Sequence, residues 1–87
     1  MKTIKLYETD GMLSSFRANV IQTKETEKGY AIMLDQTAFF PEGGGQGGDS
    51  GYIGEYAVLD THEKGGEIWH YVDSPIAVGE KYGIEVN

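Results

Sequence analysis

Eighty-seven residues suffice for one domain, and a chain this short buries only roughly 60–65% of its unfolded surface. No cysteine is present, which excludes disulfides, thiolate nucleophiles and cysteine-based zinc sites. The net charge is −7, with seven bases scattered singly among fourteen acids, which argues against a domain that holds a phosphate backbone by itself.

The predicted elements are strands throughout. Ile4 and Leu6 alternate with Lys5 and Tyr7 in a first strand, and Asp10-Gly11 signals a turn. Phe16, Ala18 and Val20 alternate with Arg17, Asn19 and Ile21 in a second strand ending near Thr23. The run KETEKG, Lys24 to Gly29, reads as a polar hairpin connection. Tyr30 to Leu34 is a short apolar strand buried on both faces. Asp35 and Gln36 turn the chain into Thr37–Phe40, where Phe39 and Phe40 must point to opposite faces, one into the core.

After a glycine-rich loop (41–51), GYIGEYAVLDTH gives one or two strands, and Glu63–Gly66 is a second hairpin turn. Glu67 to Val72 is a strand with Ile68, His70 and Val72 on one face and Trp69 and Tyr71 on the other. Asp73-Ser74-Pro75 breaks it, and Lys81–Val86 is the last strand. No window of ten residues carries a helical period. Short strands separated by glycine turns predict an all-β fold, a small closed or partly open antiparallel barrel of about six to seven strands. Connections this short favour antiparallel pairing. The chain reads as a single β-barrel domain over 1–87, and its abrupt end after a strand reads as that of a fragment. No apolar run approaches the roughly 20 residues of a membrane span. The N-terminus lacks a signal-peptide core, so a cytoplasmic protein with no membrane partner is expected.

Six of the thirteen glycines lie between Gly43 and Gly51. Gly43, Gly45 and Gly48 satisfy GxGxxG, but a strand-like segment follows instead of a helix, and Glu42 and Asp49 would repel a pyrophosphate. The lysine of a phosphate-binding loop is missing as well. Two carboxylates, Glu42 and Asp49, with Asp35 further off, fall short of a calcium loop. A tight β-corner accounts for the glycines through positive φ and close backbone approach. It leaves Gln46 unexplained, an amide set in a loop otherwise bare of side chains. Gln46 and the hydroxyl of Thr37 are candidates for reading a ligand's carbonyl or hydroxyl. His70 on an apolar strand face reads as structural, His62 as solvated, and Trp69 as core or interface.

The stretch LDQTAFFPEGGGQGGDSG, Leu34 to Gly51, resembles the glycine-rich motif of the editing region of alanyl-tRNA synthetases and of freestanding alanyl-tRNA editing proteins. That motif runs Leu-Asp-x-Thr-x-Phe-Tyr-Pro-x-Gly-Gly-Gly-Gln-x-Gly-Asp-x-Gly, and Phe40 stands here in place of its tyrosine. The resemblance implies a barrel like those of translation factors. It implies that the barrel packs on a C-terminal domain, in cis, which binds zinc through HxxxH and a later Cys/His pair and hydrolyses Ser-tRNA(Ala) or Gly-tRNA(Ala). Neither the HxxxH pair nor a cysteine occurs in these residues. No catalytic residue, metal ligand or cofactor is therefore expected within the chain, and tRNA(Ala) would be met only through the full-length protein. Carried over onto this sequence, the substrate-binding residues are Thr37, Gly43, Gly44, Gly45 and Gln46. Thr37 would read the serine hydroxyl and Gln46 would position the substrate or the tRNA 3′ end. The alternatives are a standalone β-barrel binding module and a scaffold whose glycines only turn a corner. Whichever of Phe39 and Phe40 does not enter the core would meet the missing domain and leave an apolar patch that allows self-association.

Overall fold

The computed structural model describes residues 3–8, 13–27, 29–41 and 48–86. β1 (Ile4–Lys5) runs into a 3-10 turn over Leu6–Glu8. Then come β2 (Ser15–Thr26), β3 (Gly29–Leu34), β4 (Gln36–Thr37), β5 (Gly51–Ile53), β6 (Tyr56–Val58), β7 (Asp60–Lys64), β8 (Glu67–Val72) and β9 (Lys81–Val86). Seven of them form one antiparallel sheet in the order β6-β5-β9-β2-β3-β8-β7.

The two edges of this sheet, β6 and β7, are joined by a single residue, Leu59. The Leu59 N–H donates to the carbonyl of Tyr71 on β8 at 2.8 Å. Edges so close along the chain must also meet in space, so the sheet curls until it is nearly closed into a barrel. A bulge helps it bend. β2 pairs Val20 with Leu34 and then Gln22 with Met33, which leaves Ile21 as the extra residue.

Inside the barrel Ala18, Val20, Ile32, Leu34, Ile53 and Ile84 form the main core with Phe39, which is fully buried. The opposite face of β3 is also covered: Ala31 and Met33 form a second cluster with Trp69, flanked by Ile21 and Tyr71. The Lys24 ammonium lies 5.9 Å from the centre of the Trp69 ring, within cation–π range. β3 is thus buried on both faces, as its unbroken apolar run requires.

Several expectations change at the element ends. The first strand stops at Lys5, and Leu6–Glu8 coils instead of extending. The polar run after Thr23 does not open into a loop. It continues β2 to Thr26, because Lys24, Glu25 and Thr26 pair with Ala31, Tyr30 and Gly29. Residues 51–64 make three strands, not one or two. Gln36–Thr37 forms a short strand that pairs with β1 in parallel, against the antiparallel expectation. The β7–β8 hairpin turns at Gly65 and Gly66, both at positive φ (61° and 84°), the two-residue geometry that matches the twist of the flanking strands. No helix among the described residues is long and apolar enough to cross a membrane.

Candidate functional site

Parallel pairing with β1 places Thr37 against Lys5 and turns its side chain into the barrel wall. Thr37 has no exposed surface. Its Oγ1 lies 2.8 Å from His70 Nε2 and accepts the Phe39 N–H at 3.1 Å. On the far side of the ring, His70 Nδ1 lies 2.8 Å from the carbonyl oxygen of Ile32. A carbonyl oxygen can only accept, so Nδ1 carries the proton. Nε2 is then an acceptor and the Thr37 hydroxyl is its donor. The hydrogen bonds run in one direction, from Phe39 N–H through Thr37 to His70, and from His70 to Ile32.

The Phe39 ring stands edge-on to the imidazole with centroids 5.1 Å apart. Burial pushes the His70 pKa down from 6.5 to about 4, opposed in part by the bond to Ile32, so the ring is neutral at neutral pH. His70 lies inside the barrel with Ile68 and Val72.

Three residues beyond Thr37, Phe40 is tied to Asp49 at the other side of the glycine-rich stretch. Phe40 N–H donates to Asp49 Oδ2 and Asp49 N–H donates to the Phe40 carbonyl, both at 2.9 Å. Asp49 is held in turn by the Thr61 hydroxyl, which donates to its carbonyl at 2.8 Å. Gly48 N–H donates to Asp60 Oδ1 at 3.1 Å, an oxygen that also takes the Thr61 N–H at 2.9 Å. At Gly48 a side chain has no room, since a Cβ would collide with the backbone oxygen of Thr61 and lie 2.7 Å from its nitrogen. Gly51 meets the backbone of Glu85 in the same way. These glycines are required by close approach to β7 and β9, not by positive φ. Gly48→Ala should therefore lower stability by about 1–3 kcal/mol through forced overpacking, read as a shifted urea midpoint with an unchanged slope.

Gly43, Gly44, Gly45 and Gln46 lie outside the described residues, as does Glu42. What the structure adds at this site is the role of Asp49, which the motif already contains, and Asp60, Thr61 and His70, none of which the sequence pattern places there. Asp49 is no metal ligand here but the acceptor that closes the loop neck. The readable signal is an aspartate set just after glycines, a residue type that bonds nearby backbone N–H groups. His70's partnership with Thr37 spans 33 residues and leaves no local trace.

Among the described residues no group of three His, Asp or Glu side chains is placed to hold a metal. His70 has both ring nitrogens engaged, and His62 Nε2 lies 2.9 Å from Asp60 Oδ2, so His62 is partnered instead of merely solvated. These residues do not fit a zinc site. A groove of about 550 Å³ is lined by Leu59, Asp60, His62, Tyr71 and neighbours; it shares Asp60 with the loop neck but does not include Thr37. At that neck Phe40 is 58% exposed and its ring meets Tyr7 at a tilt of 59° with centroids 4.9 Å apart; Ile4, which pairs with Gln36, is exposed as well.

Residues 4–87 match the family model described as tRNA synthetases class II (A). The chain is 41% identical over 83 residues to an alanine–tRNA ligase of Halorubrum lacusprofundi, covering 91% of this chain and 9% of that protein. It is 36% identical over 88 residues to the alanyl-tRNA editing protein AlaX-M of Pyrococcus horikoshii, covering 98% of this chain and 39% of that one. To the alanyl-tRNA editing protein Aarsd1 of Mus musculus it is 36% identical over 64 residues, 74% of this chain and 16% of the relative. The chain thus spans well under half the length of each of these relatives.

Proposed function

This chain belongs to the class II (A) family of tRNA synthetases, and on that premise we propose that it is the non-catalytic barrel portion of an alanyl-tRNA editing protein or synthetase-related chain. It shapes the pocket in which Ser-tRNA(Ala) or Gly-tRNA(Ala) is hydrolysed. The observation that carries the reading is the anchoring of the glycine-rich motif. Its two flanks, Phe40 and Asp49, are tied to each other and Asp49 is held by Thr61, so the motif starts and ends at one place on the barrel, close in sequence to Thr37. Thr37, Gly43, Gly44, Gly45 and Gln46 form the substrate side of that element. The glycines let backbone come near the aminoacyl group, and Gln46 positions the ester or the tRNA 3′ end.

Serine differs from alanine by one hydroxyl, and a site that must hydrogen-bond a hydroxyl discriminates strongly against an analogue lacking it. Thr37 supplies that bond. Because it is buried in the free chain, the substrate reaches Oγ1 only once neighbouring chain moves aside. Hydrolysis itself falls to a zinc domain outside these residues, which seats on the exposed Phe40 and which also holds the tRNA. The −7 charge assigns phosphate binding elsewhere. Such a protein acts in the cytoplasm as a guard of translation fidelity.

A chimera tests this: residues 1–87 replace the segment they match in Pyrococcus horikoshii AlaX-M. The chimera is expected to release serine from Ser-tRNA(Ala), while the 87-residue chain alone leaves it charged. Gln46→Ala in the chimera should lower kcat/KM by roughly tenfold, the worth of one polar contact. Release of serine by the chain alone would overturn the reading, as would a folded chimera without activity.

A further inference from the structure

We propose that His70 is a positioning residue for Thr37: held as the Nδ1–H tautomer by the Ile32 carbonyl, it takes the one proton of the Thr37 hydroxyl and leaves that oxygen able only to accept. The ligand group that Thr37 reads must then be a hydrogen-bond donor. The inference rests on the substrate-facing reading of Thr37, and adds to it the residue that positions the hydroxyl and the polarity of recognition.

The polarity follows from valence. A neutral imidazole owns one N–H, and the 2.8 Å contact to the Ile32 oxygen uses it. Nε2, 2.8 Å from Thr37 Oγ1, can therefore only accept. Of the two lone pairs on Oγ1, one takes the Phe39 N–H at 3.1 Å. One remains. The groups around the ring are the Thr37 hydroxyl, the Ile32 carbonyl, the Phe39 ring and, across the ladder on β7, Thr61. Among the described residues none of these groups carries a charge or titrates, and the Ile32 carbonyl offsets only part of the ring's desolvation, so the neutral form and its tautomer hold across the physiological range. A seryl hydroxyl can donate to the remaining lone pair. A glycyl or alanyl side chain has no hydroxyl to offer there, so the device acts on the seryl side chain.

Two measurements test it. In the full chain with ¹⁵N-labelled histidine at pH 7, the His70 nitrogen shifts should show Nδ1 protonated and Nε2 bare. In the chimera, His70→Asn keeps a donor for Ile32 but is too short to reach Thr37, whereas His70→Gln offers a carbonyl near the place of Nε2. His70→Asn should lower the ratio of seryl to glycyl release by roughly tenfold, and His70→Gln should restore most of it. A merely structural role would lower both activities together and leave the ratio unchanged, which would overturn the proposal. So would an Nε2–H or doubly protonated ring at pH 7. A folded Thr37→Val chimera that clears serine at the parent rate would instead bring down the substrate reading, while an Nδ1–H signal would still uphold the polarity of the hydroxyl.

Discussion

Thr37→Val will lower the stability of this chain by about 2–5 kcal/mol, although valine matches threonine in shape. The reason is that one oxygen serves two buried partners. Without it, His70 Nε2 loses its donor and the Phe39 N–H loses its acceptor, and both lie where water does not replace them. Each stranded group costs about 1–3 kcal/mol, offset in part by the extra methyl. Domains of this size are stable by only about 5–15 kcal/mol, so the melting temperature should fall by roughly 10–30 °C. Thr37→Ser keeps the oxygen and gives up one methyl group, so it should lose only about 1 kcal/mol. Thermal unfolding followed by circular dichroism decides it. If valine and serine variants melt together, the hydrogen bonds contribute nothing and the network is not what fixes Thr37.

The second large effect is on pH. His70 has its pKa pushed down from 6.5 in the unfolded chain to about 4 in the folded one, chiefly by desolvation. Between these values the unfolded chain binds a proton that the folded chain refuses, so stability rises with pH across that window. The contribution is complete above pH 6.5, drains away as the pH falls, and stops changing once the folded state is protonated too, below about 4. A tenfold difference in proton affinity between the two states is worth about 1.4 kcal/mol, so the fall in the His70 pKa contributes about 3 kcal/mol in all. Urea unfolding of the parent chain from about pH 7.5 to about 4.5, a range that brackets most of this window, should show the loss. His70→Gln, which does not titrate, should be less stable at neutral pH but much flatter through the same range. A parent and variant with parallel pH profiles would show that His70 titrates alike in both states.

Much of the fold is legible because strand period and burial are the same fact. Ile68, His70 and Val72 alternate with Trp69 and Tyr71, and the barrel buries the first set inside and the second on the outer cluster. Phe39 and Phe40 split as neighbours on extended chain must, one fully buried and the other 58% exposed. The polar run after Thr23 misleads because polarity marks solvent, not coil. A strand at the rim of a barrel can stay paired while its side chains are wet. The parallel contact of β1 with β4 has no local sign at all, because pairing between residues more than thirty apart depends on where the rest of the chain puts them.

A small all-β domain, the alternation of its faces and the Gly65-Gly66 turn were readable from the residues alone, since these follow from backbone sterics and the side-chain period of two. Tertiary structure decided which atoms the glycine-rich stretch is tied to, and turned Thr37 and His70 into one directed network. Hydrogen-bond polarity depends on all the partners present at once, and the partner that sets it here, the Ile32 carbonyl, lies 38 residues away from His70.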